Sequence, residues 1–125
     1  MDALIKESTD DTPGVYLDKS QNKFQLSGKS LPENVVEFYG PILKWLDEYI
    51  EQANEHTEFV FKMDYFNTAS SKMILDILLK LEDLATNGGD VKVKWLFRDG
   101  DEDMEEAGEE FDDIVDVDFE IESFN

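Results

Sequence analysis

No cysteine occurs anywhere in the 125 residues. That absence removes disulfides, thiolate zinc sites, iron–sulfur clusters and cysteine nucleophiles from the available chemistry, and it suits a reducing cytoplasm. No apolar run reaches the roughly 18 residues that a bilayer span requires. The start MDALIKESTDD has neither the basic opening nor the apolar stretch of a secretory signal. The expectation is therefore a soluble, unexported, cytoplasmic protein. Basic side chains are scarce as well: 11 Lys and Arg stand against 31 Asp and Glu, a net charge of -20. A field of that sign opposes nucleic acid phosphates and anionic lipid headgroups, so neither nucleic acid nor a membrane is expected as a partner.

Apolar residues make up 41% of the chain and aromatic ones 12%, enough for one hydrophobic core at this length. Residues 1–125 read as a single domain. Val15-Tyr16-Leu17-Asp18 and Lys23-Phe24-Gln25-Leu26 flank the polar link Lys19-Ser20-Gln21-Asn22, which predicts a β-hairpin. Leu31-Pro32-Glu33-Asn34 introduces a helical stretch in which Gly40-Pro41 is expected to break or kink the pattern. Beyond it Ile42, Leu46, Tyr49, Ile50 and Ala53 recur at helical spacing. A strand is predicted over Thr57 to Phe66, with Phe59, Phe61, Met63 and Tyr65 on one side and Lys62 and Asp64 on the other.

A helix is predicted from Ala69 to about Thr86, ended by Asn87-Gly88-Gly89. Its core stripe is Ile74, Ile77, Leu78, Leu81, Leu84 and Ala85, and Met73, Leu75 and Leu79 extend the apolar surface beyond one core contact. Val91, Val93, Trp95 and Phe97 then alternate with Lys92, Lys94 and Arg98, and Val115, Val117, Phe119 and Ile121 with Asp116, Asp118, Glu120 and Glu122. One polar face is basic and the other acidic, as neighbouring strands with charge-matched pairs would be. Strands with one polar face imply a sheet covered on one side only. The fold expected is a two-layer α/β domain: a mixed sheet with an N-terminal hairpin and helices packed mainly on one face. The acidic segment Asp101 to Asp113 is either a short helix with Phe111 inward or a mobile loop.

Catalytic motifs are hard to find. His56, the only histidine, follows a predicted helix end and reads as a cap. Asn87-Gly88-Gly89 follows a helix, whereas a phosphate-binding loop follows a strand. Asp99, Asp101, Asp103 and Glu110 fall at calcium-loop positions, but Met104 stands where the loop needs glycine, and a strand precedes it. No metal and no cofactor are expected, and the chain does not read as an enzyme. The acidity of Asp99 to Asp118 reads as a solvated face.

The junction Asn67-Thr68-Ala69-Ser70-Ser71 is the informative stretch. One of Asn67, Thr68, Ser70 and Ser71 is needed to cap the following helix. A cap accounts for one residue of the four. A hydroxyl in the first turn of a helix is also a tolerated phosphate acceptor, because unpaired N–H groups and the helix dipole face the added charge.

Gly28-Lys29-Ser30-Leu31-Pro32-Glu33-Asn34, then Phe38-Tyr39, Pro41 and Trp45-Leu46, then Tyr65-Phe66-Asn67-Thr68-Ala69-Ser70-Ser71-Lys72 running into Leu75, together resemble the SiaC family of bacterial regulatory phosphoproteins. The resemblance covers nearly the whole chain. It implies a fold like the anti-sigma-factor antagonist (STAS) domains and a non-enzymatic partner-switching role in cyclic-di-GMP signalling and biofilm regulation. It also implies a dedicated protein kinase, a PP2C-type phosphatase, and a target, such as a diguanylate cyclase, bound by the unphosphorylated form. Carried onto this chain, the acceptor falls on Thr68, which is expected to be both helix cap and switch, with Ser70 and Ser71 as the next candidates. The partner-binding surface falls on Asn67, Thr68, Ser71, Lys72, Leu75 and Leu79. Ala69 departs from relatives that carry another hydroxyl there. The competing expectation is a small acidic module that sequesters a basic protein through Asp101 to Asp118.

Overall fold

A computed structural model describes residues 1–125. Six strands form one sheet, in the order β1 (Leu4–Lys6), β2 (Gly14–Asp18), β3 (Lys23–Ser30), β4 (His56–Phe66), β5 (Asp90–Arg98) and β6 (Asp118–Phe124). The first two pairings are antiparallel and the other three parallel. The hairpin expected around Lys19 to Asn22 is the β2–β3 connection. Three helices make the parallel crossovers: α1 (Val35–Glu51), α2 (Thr68–Thr86) and α3 (Glu102–Ile114). Crossovers of one hand that always step in the same direction across a sheet place every helix on the same face. Burial agrees, since Val91, Val93, Trp95 and Phe97 are buried while Lys92, Lys94, Leu96 and Arg98 alternate with them on the open face. The two-layer α/β expectation is borne out. No helix is long and apolar enough to cross a membrane.

Trp95 is the centre of the core. Phe61, Phe66, Phe111 and Phe119 surround its ring with centroids between 5.4 and 6.4 Å away, and its indole N–H donates to the Met104 carbonyl at 2.9 Å. The contact explains Gly108, because a Cβ there would lie 2.5 Å from Trp95 Cδ1. The acidic segment is therefore helix α3, of the two alternatives, with Met104, Gly108 and Phe111 inward and its carboxylates in solvent. Asp101 caps it by accepting from the Met104 N–H at 3.1 Å, so of the positions that imitate a calcium loop Asp99 lies in a turn, Asp101 is the helix cap, and Asp103 and Glu110 are in the helix.

Four expectations need correction. Helix α1 runs unbroken through Pro41, which lies inside it. Pro41 and Glu37 are both exposed, so the carbonyl that the missing N–H leaves free is within reach of water, while Tyr39, Ile42, Trp45, Leu46 and Tyr49 hold the helix to the core. Tyr65 does not share a face with Met63. The β3–β4 register moves from Gly28↔Met63 to Lys29↔Tyr65, which leaves Asp64 as the extra residue of a bulge beside Gly28 at φ 97°. The bulge turns Tyr65 outward and Phe66 inward.

The last strand begins at Asp118, and Val115 instead closes α3 as a buried C-cap residue. Its adjacency to β5 is as expected. Lys92 and Lys94 lie opposite Asp118 and Glu120, and the ion pairs run diagonally, from Lys92 to Glu120 at 3.0 Å and from Lys94 to Glu122 at 3.8 Å. Finally, His56 caps no helix: α1 ends at Glu51, and His56 opens β4 beside the Asp90 carboxylate.

Candidate functional site

Strand β4 runs into α2 through a single residue, Asn67. Its backbone is extended, at φ -86° and ψ 176°, and its side-chain carbonyl accepts from the Ser70 N–H at 2.8 Å. Asn67 is thus the cap, not Thr68 as expected, because its extended backbone lets its side-chain carbonyl reach the Ser70 N–H while Thr68 already lies within the helix. Thr68, the first helical residue, is exposed and free of that duty. The first intrahelical bond runs from the Ser71 N–H to the Asn67 carbonyl at 2.9 Å. With Ser70 and Ser71 so occupied, the N–H groups of Thr68 and Ala69 are the unfilled donors at the positive end of the dipole.

The charge around this turn differs from that at the other helix starts. Helix α1 carries Glu37 in its first turn and α3 carries Glu102, Asp103 and Glu105, whereas α2 carries no acidic residue there. Lys72, one turn beyond Thr68, is exposed. On a chain of net charge -20 the first turn of α2 thus offers free N–H groups and no carboxylate of its own, with Lys72 four residues on from Thr68. Thr68, Ser71, Lys72, Leu75 and Leu79 recur at helical spacing on the side of α2 turned away from Ile74, Ile77 and Leu81; Thr68, Lys72 and Leu79 are exposed, whereas Ser71 and Leu75 are half-buried and Leu75 packs against the rim of the core. The stripe ends at a shallow hollow lined by Leu43, Asp76, Leu79, Lys80 and Asp83, where the Lys80–Asp47 ion pair ties α2 to α1.

The two reserve acceptors differ in access. Ser71 is half-buried; Ser70 has no exposed area, and its hydroxyl is bonded to Ser30. An enzyme could not reach Ser70 without opening the turn. Three features here escaped the sequence reading. Leu31 and Tyr65, exposed by 39% and 51%, sit on the strand ends that carry the turn, and Ser30 lies beneath it. Their one signal was membership of the family-like segments, Ser30 and Leu31 in Gly28 to Asn34 and Tyr65 in Tyr65 to Lys72.

The class is that of small α/β domains with one open sheet face, here with an exposed hydroxyl at the start of α2 and no carboxylate in that first turn. The family model described as SiaC family regulatory phosphoprotein matches residues 6–124, and the chain belongs to that family. It is similar to the crystal structure of apo-SiaC from Pseudomonas aeruginosa, with a TM-score of 0.90 at 28% identity, over 98% of this chain and 99% of that one. It is equally similar to a chain of the crystal structure of the diguanylate cyclase SiaD in complex with its activator SiaC from the same organism. There the TM-score is 0.91 at 28% identity, over 97% of this chain and 99% of that one. An uncharacterised protein of Pseudomonas aeruginosa strain UCBPP-PA14 is 29% identical over 123 residues, 98% of each chain.

Proposed function

We propose that this chain is a phosphorylation-controlled switch whose acceptor is Thr68. A dedicated kinase would add the phosphate and a PP2C-type phosphatase would remove it, in the partner-switching manner of the anti-sigma-factor antagonists. The unmodified form would bind and regulate a cytoplasmic target, most simply a diguanylate cyclase like the one that the Pseudomonas SiaC activates. The observation that carries the proposal is the state of Thr68: exposed, relieved of capping by Asn67, and at the one helix start whose first turn has no carboxylate.

The mechanism is electrostatic. A docked partner would cover the Thr68–Lys72–Leu75–Leu79 stripe, and a phosphate of close to two negative charges has to be stripped of water for that contact to form. Removing an unpaired charge from water costs several kcal/mol, more than a single apolar anchor of about 1.5–3 kcal/mol returns. In the free protein the same phosphate is stabilised by the dipole and by Lys72. Modification therefore disfavours the complex without unfolding the switch.

The acidic-module reading rests on the outward carboxylates of α3, and one experiment separates the two. Mass spectrometry of the protein isolated from its host in several growth states should find one phosphate, on the peptide containing Thr68, and the modified fraction should fail to retain the target cyclase. A complex that survives phosphorylation but is lost on neutralising Glu102, Asp103, Glu105 and Glu106 would favour the acidic module instead.

A further inference from the structure

Beneath the acceptor turn lie three hydroxyl groups with no exposed area: Ser30 at the end of β3, Tyr39 in α1 and Ser70 in α2. Counting protons fixes the direction of their bonds. The Ser70 hydroxyl donates to the Ser30 carbonyl at 3.0 Å, and the Ser30 hydroxyl donates to Ser70 Oγ at 2.8 Å. With both serine protons committed, the Tyr39 phenol is the donor in its 2.6 Å bond to Ser30 Oγ. Burial raises the pKa of that phenol, which keeps it protonated and able to donate. The chain thus runs from Tyr39 through Ser30 and Ser70 to the Ser30 carbonyl, each group polarising the next.

The Ser30 carbonyl also accepts from the Asn67 N–H at 3.0 Å. The cap residue of α2 and its third helical residue therefore hang from one carbonyl, and Thr68 and Ala69 are the two residues strung between them. Packing does not require this arrangement. Ile74, Ile77, Leu78 and Leu81 already seat α2, and the other buried hydroxyl and carboxylate groups, those of Asp18, Tyr49 and Thr57, lie elsewhere in the molecule. A buried hydroxyl is unfavourable unless it is bonded, and a cluster of three is tolerated only when all are satisfied.

We propose that Ser70 is the positioning residue of the acceptor turn: oriented by Ser30 and Tyr39, it fixes Thr68 in place so that a modifying enzyme meets a preformed helix start. The proposal rests on the reading of Thr68 as the acceptor. Phosphoryl transfer needs the attacking oxygen held in line with the donor phosphate, and a misplacement of about 1 Å can cost on the order of a hundredfold in rate. A kinase shaped for the folded turn loses rate when that turn frays. Ser70, itself closed to the kinase, then controls the reaction at Thr68.

The test uses the full chain incubated with ATP in a cell extract of its host, the initial rate of phosphate uptake being read on the Thr68 peptide. Ser70→Ala should slow uptake at least about tenfold, with most of the loss in kcat/KM, and Tyr39→Phe should slow it less. The matched control is Tyr49→Phe, which deletes another buried hydroxyl, bonded to Thr57 Oγ1 at 2.7 Å at the opposite end of the sheet. It should remain within about twofold of the unchanged protein. Amide hydrogen exchange at residues 67–71 should rise in Ser70→Ala and stay unchanged in Tyr49→Phe, a readout that loss of global stability alone does not produce. Uptake at the unchanged rate in Ser70→Ala with a loosened turn would overturn the inference, as would equal slowing by Tyr49→Phe. If Ser70→Ala does not fold, Tyr39→Phe against Tyr49→Phe decides on the same criteria. No phosphate on Thr68 in the unchanged protein would instead refute the functional reading itself.

Discussion

Replacing the residues of the acceptor turn one at a time should separate stability from switching, because capping and acceptor duties fall on different side chains. Asn67→Ala removes the acceptor of the Ser70 N–H and should cost about 0.5–2 kcal/mol. For 125 residues the unfolding entropy near the midpoint is roughly 260 cal/mol/K, so a loss of 1 kcal/mol lowers Tm by about 4 °C. Asn67→Ala should therefore melt about 2–8 °C early. Thr68→Ala takes away an exposed side chain that caps nothing and should stay within about 0.5 kcal/mol of the unchanged protein. Thr68→Asp places a carboxylate on the unfilled N–H groups and should gain about 0.3–1 kcal/mol. Thermal unfolding followed by circular dichroism gives the order directly: Thr68→Asp at or above the unchanged protein, Thr68→Ala beside it, Asn67→Ala below. Calorimetric binding to the target cyclase should give a different order, with Thr68→Ala bound and Thr68→Asp weakened or lost. A Thr68→Ala protein as destabilised as Asn67→Ala would refute the division of labour. So would a Thr68→Asp protein that binds as tightly as the unchanged one.

Gly108→Ala drives a Cβ into the immobile ring of Trp95, and even after the better helix propensity of alanine it should cost about 1–3 kcal/mol, checked by urea denaturation. The bulge at Asp64 makes an opposed pair: Tyr65→Ser should change stability by less than about 1 kcal/mol, whereas Phe66→Ser, which strips contacts from Trp95 and Phe111, should cost about 2–4 kcal/mol. The reverse order in the same assay would mean that the strand keeps its alternation without a bulge.

Elements were legible in the sequence where one local signal decided them. The hairpin turn, the long stripe of α2 with its glycine stop, and the alternation of β5 each declare themselves within a dozen residues. The errors fell where the deciding partner lies elsewhere in the chain. Whether Pro41 breaks α1 depends on which way the freed carbonyl of Glu37 faces, and that is set by the packing of the whole helix. Tyr65 and Phe66 exchange faces because of a register step against Gly28 and Lys29, nearly forty positions earlier. Val115 and Val117 continue the alternation of the last strand, yet Val115 is used to close α3. At the site, Thr68 came from a family resemblance and its exposure from the structure. The role of Ser70 was out of reach of sequence, since a hydroxyl near a helix start looks the same whether it faces an enzyme or a carbonyl forty residues away.

Because the order of strands across the sheet is their order along the chain, synthesis on the ribosome never requires a strand to be inserted between two already in place. The β1–β3 meander can form first from antiparallel neighbours, and each later helix and strand is then added to a single growing edge. Until β4 emerges, the free edge is β3; until β6 emerges, it is β5, with Lys92, Lys94 and Arg98 along its open side. A basic edge discourages pairing between nascent chains. The acidic strand that finally covers it carries the charges that match, so the last step of assembly is guided by the same ladder of ion pairs that holds the finished edge.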